Sequence, residues 1–240
     1  MISGILFSCT KEKIDANQSQ ALQSTTSAKV TNENSVYINT LLIGLVGRFE
    51  FNGNLKEQYG KLADGSATAR GGAAYTTDRN GNPASALFLN GYYGINLSNV
   101  PQQTNGSLTV WAKSLTSQYH YIVAPDLFGA GNALKQSTDT YLGGELIPSF
   151  GGMVTSMGLG SANNQWHHLA ITYDGTNIYV YTDGVLKATT AFAGSFAQYL
   201  AKYHIGFSAN ESGYWYGCLD DLRFYTRALS PTEVQNLASL

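Results

Sequence analysis

Charge is scarce in this chain, and what there is does not gather in one place. Charged residues make up 12 % of the 240 positions, and 14 Lys and Arg stand against 16 Asp and Glu for a net charge of −2. That scatter excludes a nucleic-acid partner, because phosphate binding needs clustered Lys and Arg. Cysteine is nearly absent, with only Cys9 and Cys218, and their contexts differ. Cys218 lies in a strand-like run, where a lone Cys behaves as a small buried hydrophobe. No apolar run approaches the ~18 residues of a membrane span.

The groupings that catalysis and metal binding need are also missing. The seven Glu are Glu12, Glu33, Glu50, Glu57, Glu145, Glu211 and Glu233, and none stands at i, i+2 or i, i+4 from another. A glycoside hydrolase that carries two carboxylates on one face of a strand is therefore not supported. Asp220 and Asp221 are adjacent, so strand alternation sends them to opposite faces. The same holds for His167 and His168, while His120 and His204 lack metal-ligand spacing to them. No Ser-centred elbow or Gly-rich phosphate loop is present. The chain is expected not to be an enzyme.

What is abundant is Gly, with 26 residues, and Tyr, with 16, among many small polar residues. That composition favours short strands and turns. Residues 10–40 are polar and rich in Ser, Thr, Asn and Gln, a flexible tether whose roughly thirty residues reach about 30 Å on average. A short apolar patch at 36–38 is the one candidate edge strand there. At Leu41 the composition changes to an apolar run closed by Asn52-Gly53, the first strand of a domain that continues to Leu240. Strands are expected at 84–90, 93–97 and 107–113, and less firmly at 119–124, 140–142 and 153–156. Trp166 to Tyr173 and Asn177 to Thr182 alternate in character around Asp174-Gly175, and a second Asp-Gly at 183–184 turns into Val185 to Thr190. Two more strands are read at 203–207 and 214–225. Ser230-Pro231-Thr232-Glu233 is a capping box, and Val234, Leu237 and Leu240 share one face of a short terminal helix. Many strands with one terminal helix predict an all-β antiparallel sandwich of jelly-roll type.

Four segments in order, GLVGRFEFNGN, SLTVWAK, WHHLAITYDG and GCLDDLRFYTRALSPTEVQNL, resemble the laminin-G-like jelly-roll family of the concanavalin A-like superfamily. The likeness covers Leu41 to Leu240. It implies a sandwich whose first and last strands share a sheet, and a binding role. It also implies one calcium ion at the sandwich edge, with Asn52, Glu57 and Asp220 at the matching ligand positions. Glu57 stands where the family usually has Asp, and the alternative is that Asp220 pins backbone amides while Glu57 is solvated. Trp111 and Trp166 match core positions, and Trp215 falls where the family has Phe.

Near the N-terminus Leu6-Phe7-Ser8-Cys9 resembles the lipobox of bacterial lipoproteins. That resemblance implies a signal remnant over residues 1–9, a lipidated Cys9, attachment to the membrane only through lipid, and a secreted or outer-surface location. Eight residues precede Cys9 and none is basic, unlike a full secretory signal. The sequence thus leads to a lectin-like surface domain that binds a glycan. Tyr119, Tyr121 and Tyr214, which border Gly- and Asn-rich loops, are the expected stacking platform. A protein-protein adhesion module of the same fold and a glucanase-type hydrolase are the alternatives.

Overall fold

In the computed structural model the chain divides into two compact units, Met1–Thr40 and Leu41–Leu240. The structure describes residues 40–69, 71–101, 105–116, 120–126, 131–136, 141–147, 154–161, 164–192, 200–208 and 214–240. Cys9, the tether before Thr40 and the edge strand expected at 36–38 lie outside them.

Among the described residues the chain runs through β1 (Leu45–Phe49), β2 (Ser66–Ala67), β3 (Ala74–Thr76), β4 (Ala86–Asn90) and β5 (Ile95–Pro101). There follow β6 (Gly106–Ser114), β7 (His120–Pro125), β8 (Gly131–Gln136), β9 (Tyr141–Ile147) and β10 (Val154–Ser161). The last third holds β11 (His167–Tyr173), β12 (Asn177–Thr182), β13 (Val185–Ala191), β14 (Leu200–Ile205), β15 (Tyr216–Tyr225) and the helix α1 (Pro231–Leu237). The strands form two antiparallel sheets. One has the order β13-β12-β11-β6-β15-β4-β3 with β1 also paired to β15, and the other the order β10-β9-β8-β7-β14-β5-β2. This is the predicted sandwich with a single short C-terminal helix.

Local chemistry explains the hairpins that set the first sheet. Asp174 Oδ1 accepts from the amides of Thr176 at 2.8 Å and Asn177 at 2.7 Å, which closes the turn between β11 and β12. At the next turn Asp183 and Gly184 both take positive φ, 52° and 75°, the two-residue pattern whose twist suits antiparallel strands. β15 is the hub of this sheet, bordered by β6 on one edge and by β4 and then β1 on the other.

Between the sheets lies the main core, where Leu108 and Val110 of β6, Leu169 and Ile171 of β11, and Leu219 and Phe224 of β15 pack among other buried side chains. Trp215 is fully buried there. A second cluster covers part of the outer face of the same sheet: Ala170, Tyr181 and Tyr225 meet Val234 and Leu237 of α1. The helix starts as a capping box, with the Ser230 side chain accepting from the Glu233 amide and Glu233 accepting from the Ser230 amide. Arg227 also grips both Glu233 oxygens, at 2.7 and 2.6 Å. Leu240, expected on the buried face, is exposed.

Candidate functional site

The site begins with an irregularity in β15. Asp220 pairs with Trp111 and Arg223 with Thr109, so three steps along β15 match two along β6. The extra residue is a β-bulge, and Asp221 adopts φ of 47° to make it. Alternation would have turned Asp220 and Asp221 to opposite faces, and the bulge corrects that expectation. Leu219 and Leu222 both point into the core, and both aspartates point outward into one cleft.

Their environments differ. Arg48 Nε donates to Asp221 Oδ1 at 2.8 Å, and Arg223 donates through Nε to Oδ1 at 3.0 Å and through Nη2 to Oδ2 at 2.6 Å. Burial alone would raise the Asp221 carboxyl, but Arg223 and then Arg48 outweigh it and hold it at about 2. Asp220 is pushed up to about 6 by burial, with help from the Asp221 and Asp78 carboxylates and against the pull of Arg79, whose Nη1 donates directly to its Oδ2.

Two turns complete the cleft. Asp78 Oδ1 accepts from the amides of Asn80 and Asn82, each at 2.8 Å, and Oδ2 accepts from the Asn82 side chain at 2.8 Å. This closes the turn that carries Arg79. On the other side, Glu50 accepts from Arg48 Nη1 at 2.9 Å and from the Asn52 side chain at 3.2 Å. These residues line an open cleft of about 180 Å³. It is smaller than the ~300–1,000 Å³ of pockets that swallow a small molecule, so it suits the edge of a polar ligand.

Behind the cleft the Arg79 guanidinium lies over the Trp111 ring, 4.9 Å from its centroid. Trp111 also meets the His168 ring, centroids 5.5 Å apart. Burial drives His168 down to about 3, which keeps it neutral. Trp111 was expected in the core, yet it stands half-buried on the outer face, because Leu108, Val110 and Ala112 take the inward positions of β6.

The same outer face carries an aromatic surface further along β15. Tyr216 shares strand parity with Asp220, is 39 % exposed, and meets Phe88 of β4 edge-on at 5.8 Å. Tyr92, in the turn after β4, is 74 % exposed. Asp220 lies four positions beyond Tyr216, a strand distance of about 13 Å. The Tyr216 ring and the polar cleft therefore lie within one short oligosaccharide's reach.

The tyrosines favoured from sequence fare differently. Tyr121 is 4 % exposed and packs with Ala124 and Ala133, so its ring is not offered to a ligand. A bulge in β7 opposite Leu134 and Lys135 sets its direction, and alternation could not show that. Tyr119 lies outside the described residues. Tyr214 is half-buried against Phe207, ring centroids 5.3 Å apart. Tyr216 was legible in principle: with Trp215 inward, its neighbour had to point out.

Of the expected calcium ligands, Asn52 and Asp220 do border one cleft, and Glu57 does not. Glu57 is neither a ligand beside them nor solvated. It is buried, its Oε1 accepts from the Arg48 amide at 2.9 Å, and its Oε2 accepts from the amides of Tyr59 at 3.1 Å and Lys61 at 2.7 Å. It therefore holds the 57–62 turn against β1. With Glu57 engaged and Arg79 on Asp220, the residues present do not fit the implied ion. Among the described residues, no three His, Cys, Asp or Glu are grouped to hold a metal.

Comparisons with known proteins place these observations. The signature of the concanavalin A-like lectin/glucanases superfamily matches residues 89–235. Curated protein sequences give no match. Among solved structures, domain 4 of AbnA, a GH43 extracellular arabinanase from Geobacillus stearothermophilus solved in complex with arabinotriose, is similar at 24 % identity and a TM-score of 0.70, over 81 % of this chain and 98 % of that one. The binding domain of Paraclostridial Mosquitocidal Protein 1 is similar at 15 % identity and a TM-score of 0.64, over 81 % and 52 %. Botulinum neurotoxin type C, whose cell entry depends on interaction with two ganglioside molecules, is similar at 10 % identity and a TM-score of 0.62, over 82 % and 51 %. The chain spans about half the length of these two toxin chains, and at such identities the likeness is one of fold.

Proposed function

Because the chain belongs to the concanavalin A-like lectin/glucanases superfamily, we propose that it binds carbohydrate on the outer face of its larger sheet and does not hydrolyse it. The observation that carries this reading is the pairing of the exposed Tyr216 ring with the polar cleft at Asp220 on one face of the sheet. Sugars present an apolar ring face and a hydroxyl edge. Tyr216 offers the first a surface, and the amides of Asn52, Asn80 and Asn82 and the carboxylate oxygens offer the second its partners. Fold neighbours that bind arabinotriose and gangliosides support a glycan as the ligand class.

A hydrolase needs a free acid and a free base or nucleophile flanking the bond. Here Asp221 is held by two arginines, Asp220 by Arg79, Glu50 by Arg48 and Asp78 by its own turn. Engagement of each cleft carboxylate by a partner of its own supports binding over hydrolysis. The lipobox-like N-terminus supports display on a bacterial surface through a lipid on Cys9. Cys9→Ala is then expected to move the protein from the membrane to the soluble fraction.

The test is a panel of neutral and acidic oligosaccharides offered to the full chain, followed by titration of any hit against Tyr216→Ala. Affinity should fall by at least about tenfold, or ~1.4 kcal/mol, in the variant. Binding that survives Tyr216→Ala unchanged would overturn the location. Silence of a folded sample across the panel would overturn the ligand class.

A further inference from the structure

We propose that Arg79 is a built-in cation: its guanidinium holds the place on Asp220 that a divalent ion would otherwise take, and makes this domain independent of calcium. The assignment rests on the geometry of the cleft and stands apart from the carbohydrate reading.

The turn at 78–82 is rigidly closed by the three bonds to Asp78, so Arg79 leaves it in a fixed direction. Its side chain runs inward and is only 13 % exposed, an unusual place for a guanidinium without a function. There it meets two partners at once, the Asp220 carboxylate and the face of Trp111. The planar, delocalised charge of Arg suits both contacts, as a compact ammonium would not.

The charges of the cleft explain why a cation is needed. Glu50, Asp78, Asp220 and Asp221 line it, and against them stand Arg48 and Arg79. Arg48 is shared by Glu50 and Asp221, and Arg223 reinforces it at Asp221 from within the sheet. Asp220 has Arg79 alone among these arginines, and it lies beside the ionised Asp221. If the guanidinium is removed, Asp220 is left beside the Asp221 carboxylate and near that of Asp78, in a cleft that Asn52, Asn80 and Asn82 also line. Calcium accepts that set of carboxylate and amide oxygens. The cleft is thus a cation site closed by a residue of the chain itself.

The experiment compares full-length wild type, Arg79→Gln and Arg79→Lys by thermal melting and calorimetric titration, with chelator or with calcium at the ~1 mM typical of extracellular sites. Wild type is expected to melt at one temperature in both buffers and to give no calcium heat. Arg79→Gln should melt lower in chelator, recover with calcium, and lose that recovery when Asp220→Asn is added. Arg79→Lys, which keeps the charge, should remain indifferent to calcium. A calcium-induced rise in the wild-type melting temperature overturns the proposal, as does an Arg79→Gln protein that calcium does not stabilise. Should Arg79→Gln fail to fold in chelator, folding with calcium still supports it. Failure in both buffers leaves the wild-type titration to decide, with a calcium response against the proposal and its absence for it.

Discussion

One face of one sheet is treated in two ways along its length. At the end nearest the C-terminus, Ala170, Tyr181 and Tyr225 lie under Val234 and Leu237 of α1, and the face is sealed. At the other end Tyr216 stands open to solvent on the same strand as a charged cleft. The strands are shared, so the difference lies in what the outward positions carry. An apolar outward row needs a helix to remove it from water, while a row of charges that pair with one another needs no cover and stays accessible. The seam between the two is the Arg48–Asp221–Arg223 cluster, polar like the cleft, with Asp221 and Arg223 buried like the helix interface.

Breaking that seam should have the largest effect. Asp221→Ala leaves buried Arg223 without its carboxylate, while half-buried Arg48 keeps Glu50, and a loss of ~3–5 kcal/mol is expected in urea denaturation. A loss below about 1 kcal/mol would mean that water already satisfies the arginines. At the sealed end, Leu237→Ala removes a 2 % exposed side chain from under the helix. The interface lies at the margin and can partly collapse, so the expected cost is near ~2 kcal/mol, the low end for such truncations. At the open end, Tyr216→Ala should change stability by less than ~0.5 kcal/mol while weakening glycan binding. If it destabilises the fold as much as Leu237→Ala does, the open end is scaffold too, and the contrast fails.

How much of this was legible follows the same division. The β11–β12–β13 ribbon, the last strand and the capped helix announce themselves through alternation, Asp-Gly pairs and Ser-Pro-Thr-Glu, all local signals. The first strand begins only at Leu45, after a helical turn at 40–42, because apolarity alone does not mark a strand end. β8 was missed: Gly131–Gln136 has no apolar alternation, and its Lys135 is buried, which depends on neighbours far along the chain. The cleft was half legible. Asn52 and Asp220 were named, but Arg79 sits 141 residues from Asp220, and no spacing rule joins them. The bulge did leave a trace, since in Leu219-Asp220-Asp221-Leu222 the period of two slips by one residue. Glu57 misled because a carboxylate bound by backbone amides looks in sequence like one available to an ion.

The subtlest expected effect comes from the bulge itself, which sets two neighbouring carboxyls against each other. Asp221 is held at about 2, below the value it has in the unfolded chain, so its contribution to stability is present at neutral pH and is lost as pH falls from about 4 toward 2. Asp220, raised to about 6, behaves oppositely. Between about pH 4 and 6 the folded protein keeps a proton on Asp220 that the unfolded chain has released, so the Asp220 contribution to stability should decline as pH rises through that window. Buried His168, held at about 3 against an ordinary 6.5, works the other way, because there it is the unfolded chain that takes up the proton as pH falls. The Asp220 part is therefore read by difference. The melting temperature of wild type minus that of Asp220→Asn should be largest near pH 4 and shrink toward neutrality. A difference that stays constant from pH 4 to 7 would mean that Asp220 titrates alike in the folded and unfolded chain, and that the two aspartates are less differently placed than their surroundings indicate.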